Sequence, residues 1–262
     1  MSTYRYKRIS SILFIVLQFI FAQVSFSQDE EPEKKYHFNG NISVTSNGFS
    51  LIPTFSLGKP ATIAELSLGG NRFSFDPQFR FDLAGLKPWS FIFIWRYKLK
   101  QTNRWLVRAG VHLPAVAFRE QTFQKNGTTV EQLVPFRFLG LELTINYAIS
   151  KKVSVGMYYI YGLGLEKQPQ PQHTHYLAFR AGFNKIPLGK KLFFNWNPQI
   201  YYLNIDGADG IYGAQLFVLG HKKLPFSISS MMNVKIESDV PSKDFDWNFS
   251  LVYTFKNQLV RK

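Results

Sequence analysis

The chain has 262 residues, 31 Lys and Arg against 17 Asp and Glu, a formal charge of +14, 17% aromatic residues including 26 Phe, and no cysteine. The missing cysteine excludes disulfides, thiolate metal sites and a lipid-modified N-terminal Cys. Past the first 27 residues no segment approaches the roughly 20 consecutive apolar residues that a membrane-spanning helix needs. A basic excess raises nucleic acid as a partner, but an export signal and the lack of any binding motif argue for no nucleic acid.

Met1 to Ser27 reads as that export signal. Arg5, Lys7 and Arg8 form a positive start, residues 12–22 a short apolar stretch, and Ser25 and Ser27 a small-x-small site for cleavage before Gln28. Residues 28–36 are charged and read as a disordered periplasmic leader. From 37 to 255 the chain reads as strands without a helix. Segments 37–46, 49–57 and 62–69 are followed by 73–83, 89–100, 104–118, 133–149, 152–166, 174–186, 191–205, 211–220, 224–237 and 245–255. An odd count would separate the two termini, which bacterial single-chain barrels avoid. About twelve strands are therefore expected, within a range of ten to fourteen. One piece between Gly48 and Leu68, carrying Pro53 and Gly58-Lys59-Pro60, is then bulged or folded in. Residues 256–262 read as a short periplasmic tail.

The strands alternate. In 245–255, Phe245, Trp247, Phe249, Leu251, Tyr253 and Phe255 share one face, and Asp246, Asn248, Ser250 and Thr254 the other. A period-two strand of this length shows one face to an apolar medium and one to a wet medium. In 89–100, Trp89, Phe91, Phe93, Trp95, Tyr97 and Leu99 are assigned to lipid, with Ser90, Arg96, Lys98 and Lys100 inside. Short turns at Ser150-Lys151, 187–190 and 221–223 alternate with longer polar segments at 119–132, 167–173, 206–210 and 238–244. Short turns on one rim and long loops on the other fit an antiparallel up-and-down transmembrane β-barrel. Trp89, Trp105, Tyr147, Tyr202, Trp247 and Tyr253 lie towards strand ends, where interfacial girdles sit.

With its export signal, alternating strands and aromatic final strand Trp247-x-Phe249-x-Leu251-x-Tyr253-x-Phe255, the chain resembles bacterial outer-membrane β-barrel proteins of the porin-like superfamily. The resemblance covers the whole mature chain at the level of class. It implies a Gram-negative outer membrane, contact with outer-membrane lipid, and recognition of the last strand by the insertion machinery. Lys256 to Lys262 depart from the pattern, since such chains often stop at the terminal aromatic.

Candidate functional residues are the charges on the inward phase. Arg80, Arg96, Arg104, Arg108, Arg137 and Arg180, with Asp76, Asp82, Glu142, Lys235 and Glu237, are expected to line the lumen as a channel or a plug. Arg137 joins this set only through a bulge near Gly140. Rings of Arg attract anions, so a porin-like passive channel or small-solute transporter with an arginine-rich lumen is expected, with small anionic solutes as its partners. A structural or partner-binding barrel with a filled lumen is the alternative. Enzymatic barrels pair Ser with His. Ser46-Asn47-Gly48 resembles part of the outer-membrane phospholipase pattern, but Val44 stands where that family has His, and no enzyme is expected. His173-x-His175 is too small a ligand set for a metal, and no cofactor is expected.

Overall fold

The computed structural model describes residues 35–125, 128–166 and 170–260. The expected export signal and leader, up to residue 34, lie outside the described residues. Twelve strands follow: β1 (Lys35–Thr45), β2 (Ala61–Gly69), β3 (Phe73–Asp82), β4 (Pro88–Gln101), β5 (Trp105–Lys125) and β6 (Thr128–Ala148). The ring continues through β7 (Val153–Gly164), β8 (His173–Leu188), β9 (Leu192–Ile205), β10 (Ala208–His221), β11 (Phe226–Ser238) and β12 (Phe245–Val260). Each strand pairs with its chain neighbours, and β1 closes on β12 from Lys35↔Val260 to Thr45↔Ser250. A closed ring leaves no unpaired edge, which is what lets β-structure enter lipid.

Residues 256–260 therefore extend β12 and do not form a tail. Segment 119–132 is no loop either: β5 and β6 run through it as 21-residue strands. Segment 206–210 shrinks to the two-residue turn Asp206-Gly207, both at positive φ, the backbone that a tight hairpin requires. The piece from Ser46 to Pro60 is folded in and contains one 3-10 turn, Pro53–Phe55.

The inner and outer phases follow from side-chain exposure. Phe245, Trp247, Phe249, Leu251 and Tyr253 are exposed on the outside, while Ser250 is buried on the inside. Bulges reset this phase at three places that matter for the lumen. On β4, Trp89 is the extra residue between Ser90 and Pro88, which pair with Arg80 and Phe81. It is turned inward at 1% exposure, so the expectation that it faces lipid is corrected. On β5, Leu113 and Pro114 oppose Leu139 alone, since His112↔Gly140 is followed by Ala115↔Phe138. Proline has no N–H to give the ladder, and the slip falls there and not on β6. On β11, Ile236 is extra between Lys235↔Tyr212 and Glu237↔Ile211.

Candidate functional site

The lumen is crossed by chain. Ser46–Pro60 leaves β1 at the rim opposite the termini and doubles back on itself. Its neck is closed by Gly48 N–H donating to Lys59 O at 2.7 Å and by Leu57 N–H donating to Gly48 O at 2.7 Å. A Cβ on Gly48 would lie 3.0 Å from both the Ala61 Cβ and the Trp89 ring, so any side chain here would push one of them aside. Trp89 Nε1–H donates to Phe55 O at 2.9 Å, which makes the inward turn at the β4 bulge the anchor of the insert. Phe55 packs on Phe138, with ring centroids 5.2 Å apart, beside Ile92, Ile94, Ala115 and Ala117. Leu51 and Ile52 pack on the other wall against Tyr176, Tyr201, Leu203 and Tyr212. One end of the insert thus rests on β4–β6 and its tip on β8–β10, and both contacts are apolar burial.

A polar layer joins the wall around it. Arg96 donates from Nη1 to Asp76 at 2.7 Å and from Nε to Glu142 at 2.5 Å. Glu142 also meets His112 Nε2 at 2.9 Å and accepts from Tyr158 OH at 2.7 Å. Asp76 accepts from Ser67 Oγ at 2.6 Å, and Ser67 meets His37 Nε2 at 3.1 Å. These side chains come from β1 through β7. Glycines make room for them. A Cβ on Gly110 would stand 2.8 Å from Glu142 Cγ, and one on Gly140 would stand 3.0 Å from His112.

A second set of arginines lacks such partners. Arg80, Arg108 and Arg180 line a lumen cavity of about 800 Å³ where Glu65 is the only carboxylate among the described residues. Arg80 donates to Gln78 at 2.7 Å and lies over the Trp89 ring, 5.2 Å from its centroid. Arg180 lies 5.0 Å from the Tyr158 centroid and reaches Asn146 at 3.5 Å. Among the described residues no group accepts from Nε of Arg80 or Arg108. A smaller space of about 200 Å³ lies between Ile52, Phe55, Arg96 and His112.

Of the residues expected in the lumen, Arg80, Arg96, Arg108, Arg180, Asp76 and Glu142 meet there. Lys235 sits on the inward phase near the rim and pairs with Asp244 at 2.8 Å. Asp82 caps the 83–87 turn by accepting from Gly85 and Lys87 N–H. Three expectations are corrected. Arg137 stands on the outward phase, exposed, and pairs with Glu166, because the bulge lies on β5. Arg104 precedes β5 at the terminus-bearing rim and donates to Tyr147 OH outside. Glu237 follows the extra Ile236 and stands opposite the outward Ile211. His173 and His175 face outward, each bonded through Nδ1 to a tyrosine, Tyr161 and Tyr159. Among the described residues no three His, Asp or Glu converge as a metal site. Sequence reasoning missed Glu65, Ser67, His37 and Tyr158. The inward phase of β2 carried a signal for Glu65 and Ser67, but nothing in one sequence says which phases meet across the ring.

No protein-family model matches the chain, and no curated protein is significantly similar in sequence. Solved structures are similar in shape. The KdgM porin superposes with a TM-score of 0.50 at 9% identity, over 84% of this chain and 99% of that one. An outer membrane channel from Pseudomonas putida F1 gives 0.48 at 10% identity, over 88% and 100%. LpxR from Salmonella typhimurium gives 0.45 at 11% identity, over 83% and 100%. At such identities the likeness concerns architecture alone: the chain has the twelve-stranded, closed, up-and-down fold of bacterial outer-membrane β-barrel proteins.

Proposed function

We propose that this protein resides in the outer membrane as a non-enzymatic channel that passes small anionic solutes through a lumen narrowed by the Ser46–Pro60 insert. Its apolar outer face is solvated by acyl chains, and the aromatic β12 serves as the segment read by the insertion machinery. The observation that carries the reading is the imbalance on the larger cavity: Arg80, Arg108 and Arg180 against Glu65. Guanidinium groups in a low-dielectric tube attract anions and repel cations over several ångströms. The test is single-channel recording in planar bilayers under a KCl gradient. The reversal potential is expected on the anion-selective side, moving towards zero in Arg108→Ser and Arg180→Ser. A folded preparation with no conductance, or one selective for cations, would refute the channel.

A second reading has its own support. Apolar contacts at both ends of the insert and the ion-paired layer around Arg96 occupy much of the tube, as they would in a structural barrel that binds a partner through its loops. Zero conductance both before and after removal of the insert would favour it.

A further inference from the structure

The ladder between β8 and β9 is irregular beside the arginine cavity. The ladder runs to Arg180↔Gln199 and then omits Ala181–Pro198 and Gly182–Asn197. Phe183↔Trp196 is the one pair left before Ile186↔Phe194, where a bulge places Lys185 at positive φ and its N–H on the Asn195 side chain at 2.7 Å. Pro198 supplies no N–H, and a proline inside a strand is found where pairing stops. The side chains around the break are small: Gly156, Ala181, Gly182 and Gly213.

Proline alone does not make such a seam. Pro77 removes two pairs between β2 and β3 as well. There Phe93 lies directly opposite Pro77, with ring centroids 6.2 Å from Phe75 and 5.8 Å from Phe79. Pro77 is buried beneath this cover, and Ser67 donates to Asp76 across the inside. At Pro198 the outer face instead has a groove of about 680 Å³ lined by Val155, Phe179, Ala181, Trp196, Pro198 and Ile200. Groove and lumen cavity share Gly156, Arg180, Ala181, Gln199 and Ala214. One thickness of backbone, short of the hydrogen bond that Pro198 cannot donate, therefore separates the arginines from the lipid.

We propose that the β8–β9 seam is a lateral gate through which a single-chain anionic amphiphile, an acyl carboxylate, passes between the lumen and the membrane. The argument for the occupant is complementarity. Arg180 and Arg108 offer the head cations that have no carboxylate partner among the described residues, and the apolar groove continues into lipid for the tail. Pro198 gives no N–H to the ladder, so opening here breaks one hydrogen bond fewer than along an uninterrupted stretch, and regions of low local stability are where proteins open. The gate rests on the reading of the arginine cavity as an anion path and adds an exit from it.

The test uses the full chain, which has no cysteine of its own. Phe179→Cys with Ile200→Cys puts two thiols on directly opposed residues of the groove, within disulfide reach in an antiparallel pair, and leaves Pro198 in place. Uptake of radiolabelled laurate is measured in Gram-negative host cells lacking their own fatty-acid porin, with the seam oxidised and then reduced. Dodecyltrimethylammonium serves as the cationic probe, and ion conductance of the purified protein is recorded in both states. The expected result is laurate uptake in the reduced state and its loss to the level of cells without the protein on oxidation. Equal laurate uptake in both states, no laurate uptake in either, or equal uptake of the cationic probe would overturn the gate. Conductance reports on the channel separately: a conducting barrel without laurate uptake fails only as a gate. A non-conducting barrel with redox-controlled laurate uptake fails only as a channel.

Discussion

Glu142 is the acceptor on which the polar layer converges, and Glu142→Gln isolates its charge. Its side chain is fully buried and takes Nε and Nη2 of Arg96, Nε2 of His112 and the hydroxyl of Tyr158. The amide keeps the shape and one acceptor oxygen, but it turns an NH2 towards donors and leaves Arg96 with Asp76 as its remaining carboxylate. Removing one member of a buried ion pair costs about 3–5 kcal/mol, chiefly because the other charge stays buried. The bond count agrees in size, since hydrogen bonds to a charged group contribute about 1.5–3 kcal/mol each and the amide forfeits at least two. The assay is reversible urea unfolding in lipid micelles, followed by tryptophan fluorescence. Arg137→Gln is the internal control: its exposed pair with Glu166 should be worth about 0–1 kcal/mol. A loss below about 1 kcal/mol for Glu142→Gln, no larger than the control, would refute the claim that this layer is a desolvated network.

Gly110→Ala should destabilise the barrel by about 1–3 kcal/mol through overpacking, because the new methyl would meet Glu142 Cγ at 2.8 Å; the same urea titration reads it. Replacing residues 49–57 with a short Gly-Ser linker should raise single-channel conductance, and an unchanged value would deny the insert its place in the ion path. Acidification should weaken the Arg137–Glu166 contact. Burial opposes ionisation of Glu166, but hydrogen bonds from the backbone N–H and guanidinium of Arg137 outweigh it and hold the carboxyl below its ordinary 4.5. A depressed folded pKa gives stability that is present above the unfolded value and is lost as pH falls through the folded one. The thermal midpoint of the wild type should therefore exceed that of Glu166→Gln at pH 7 and approach it as the pH falls below the ordinary 4.5.

The architecture was legible because alternation is written residue by residue. The face of Phe245 to Tyr253 needs no knowledge of its neighbours, and an even strand count followed from where the termini must emerge. The lumen was less legible because a bulge depends on the partner strand. Whether Trp89 is in or out is decided by Arg80 and Phe81 on β3, which provide one residue fewer than β4. Arg137 was assigned inward because a slip was evident between it and Glu142, yet the extra residue belonged to β5. Pro114 was the available clue, since it cannot donate to the ladder. Arg104 and Glu237 sit at strand ends, where one residue of offset changes the face. The convergence of Ser67, Asp76, Arg96, Glu142 and Tyr158 is set by register around a ring, which pairwise alternation does not carry.

The unequal heights of the strands give the mouth a direction. β5 and β6 carry 21 residues each, while their neighbours β4 and β7 have 14 and 12. At about 3.3 Å per residue and a tilt near 40°, that hairpin stands roughly 20 Å above the rest of the rim. It forms a palisade on one flank of the entrance, whereas the Asp206-Gly207 turn keeps β9 and β10 low. Under the proposed channel reading, with this rim outside the cell, particles and polymers meet the palisade first, and the sill above β9 and β10 is the unobstructed way in.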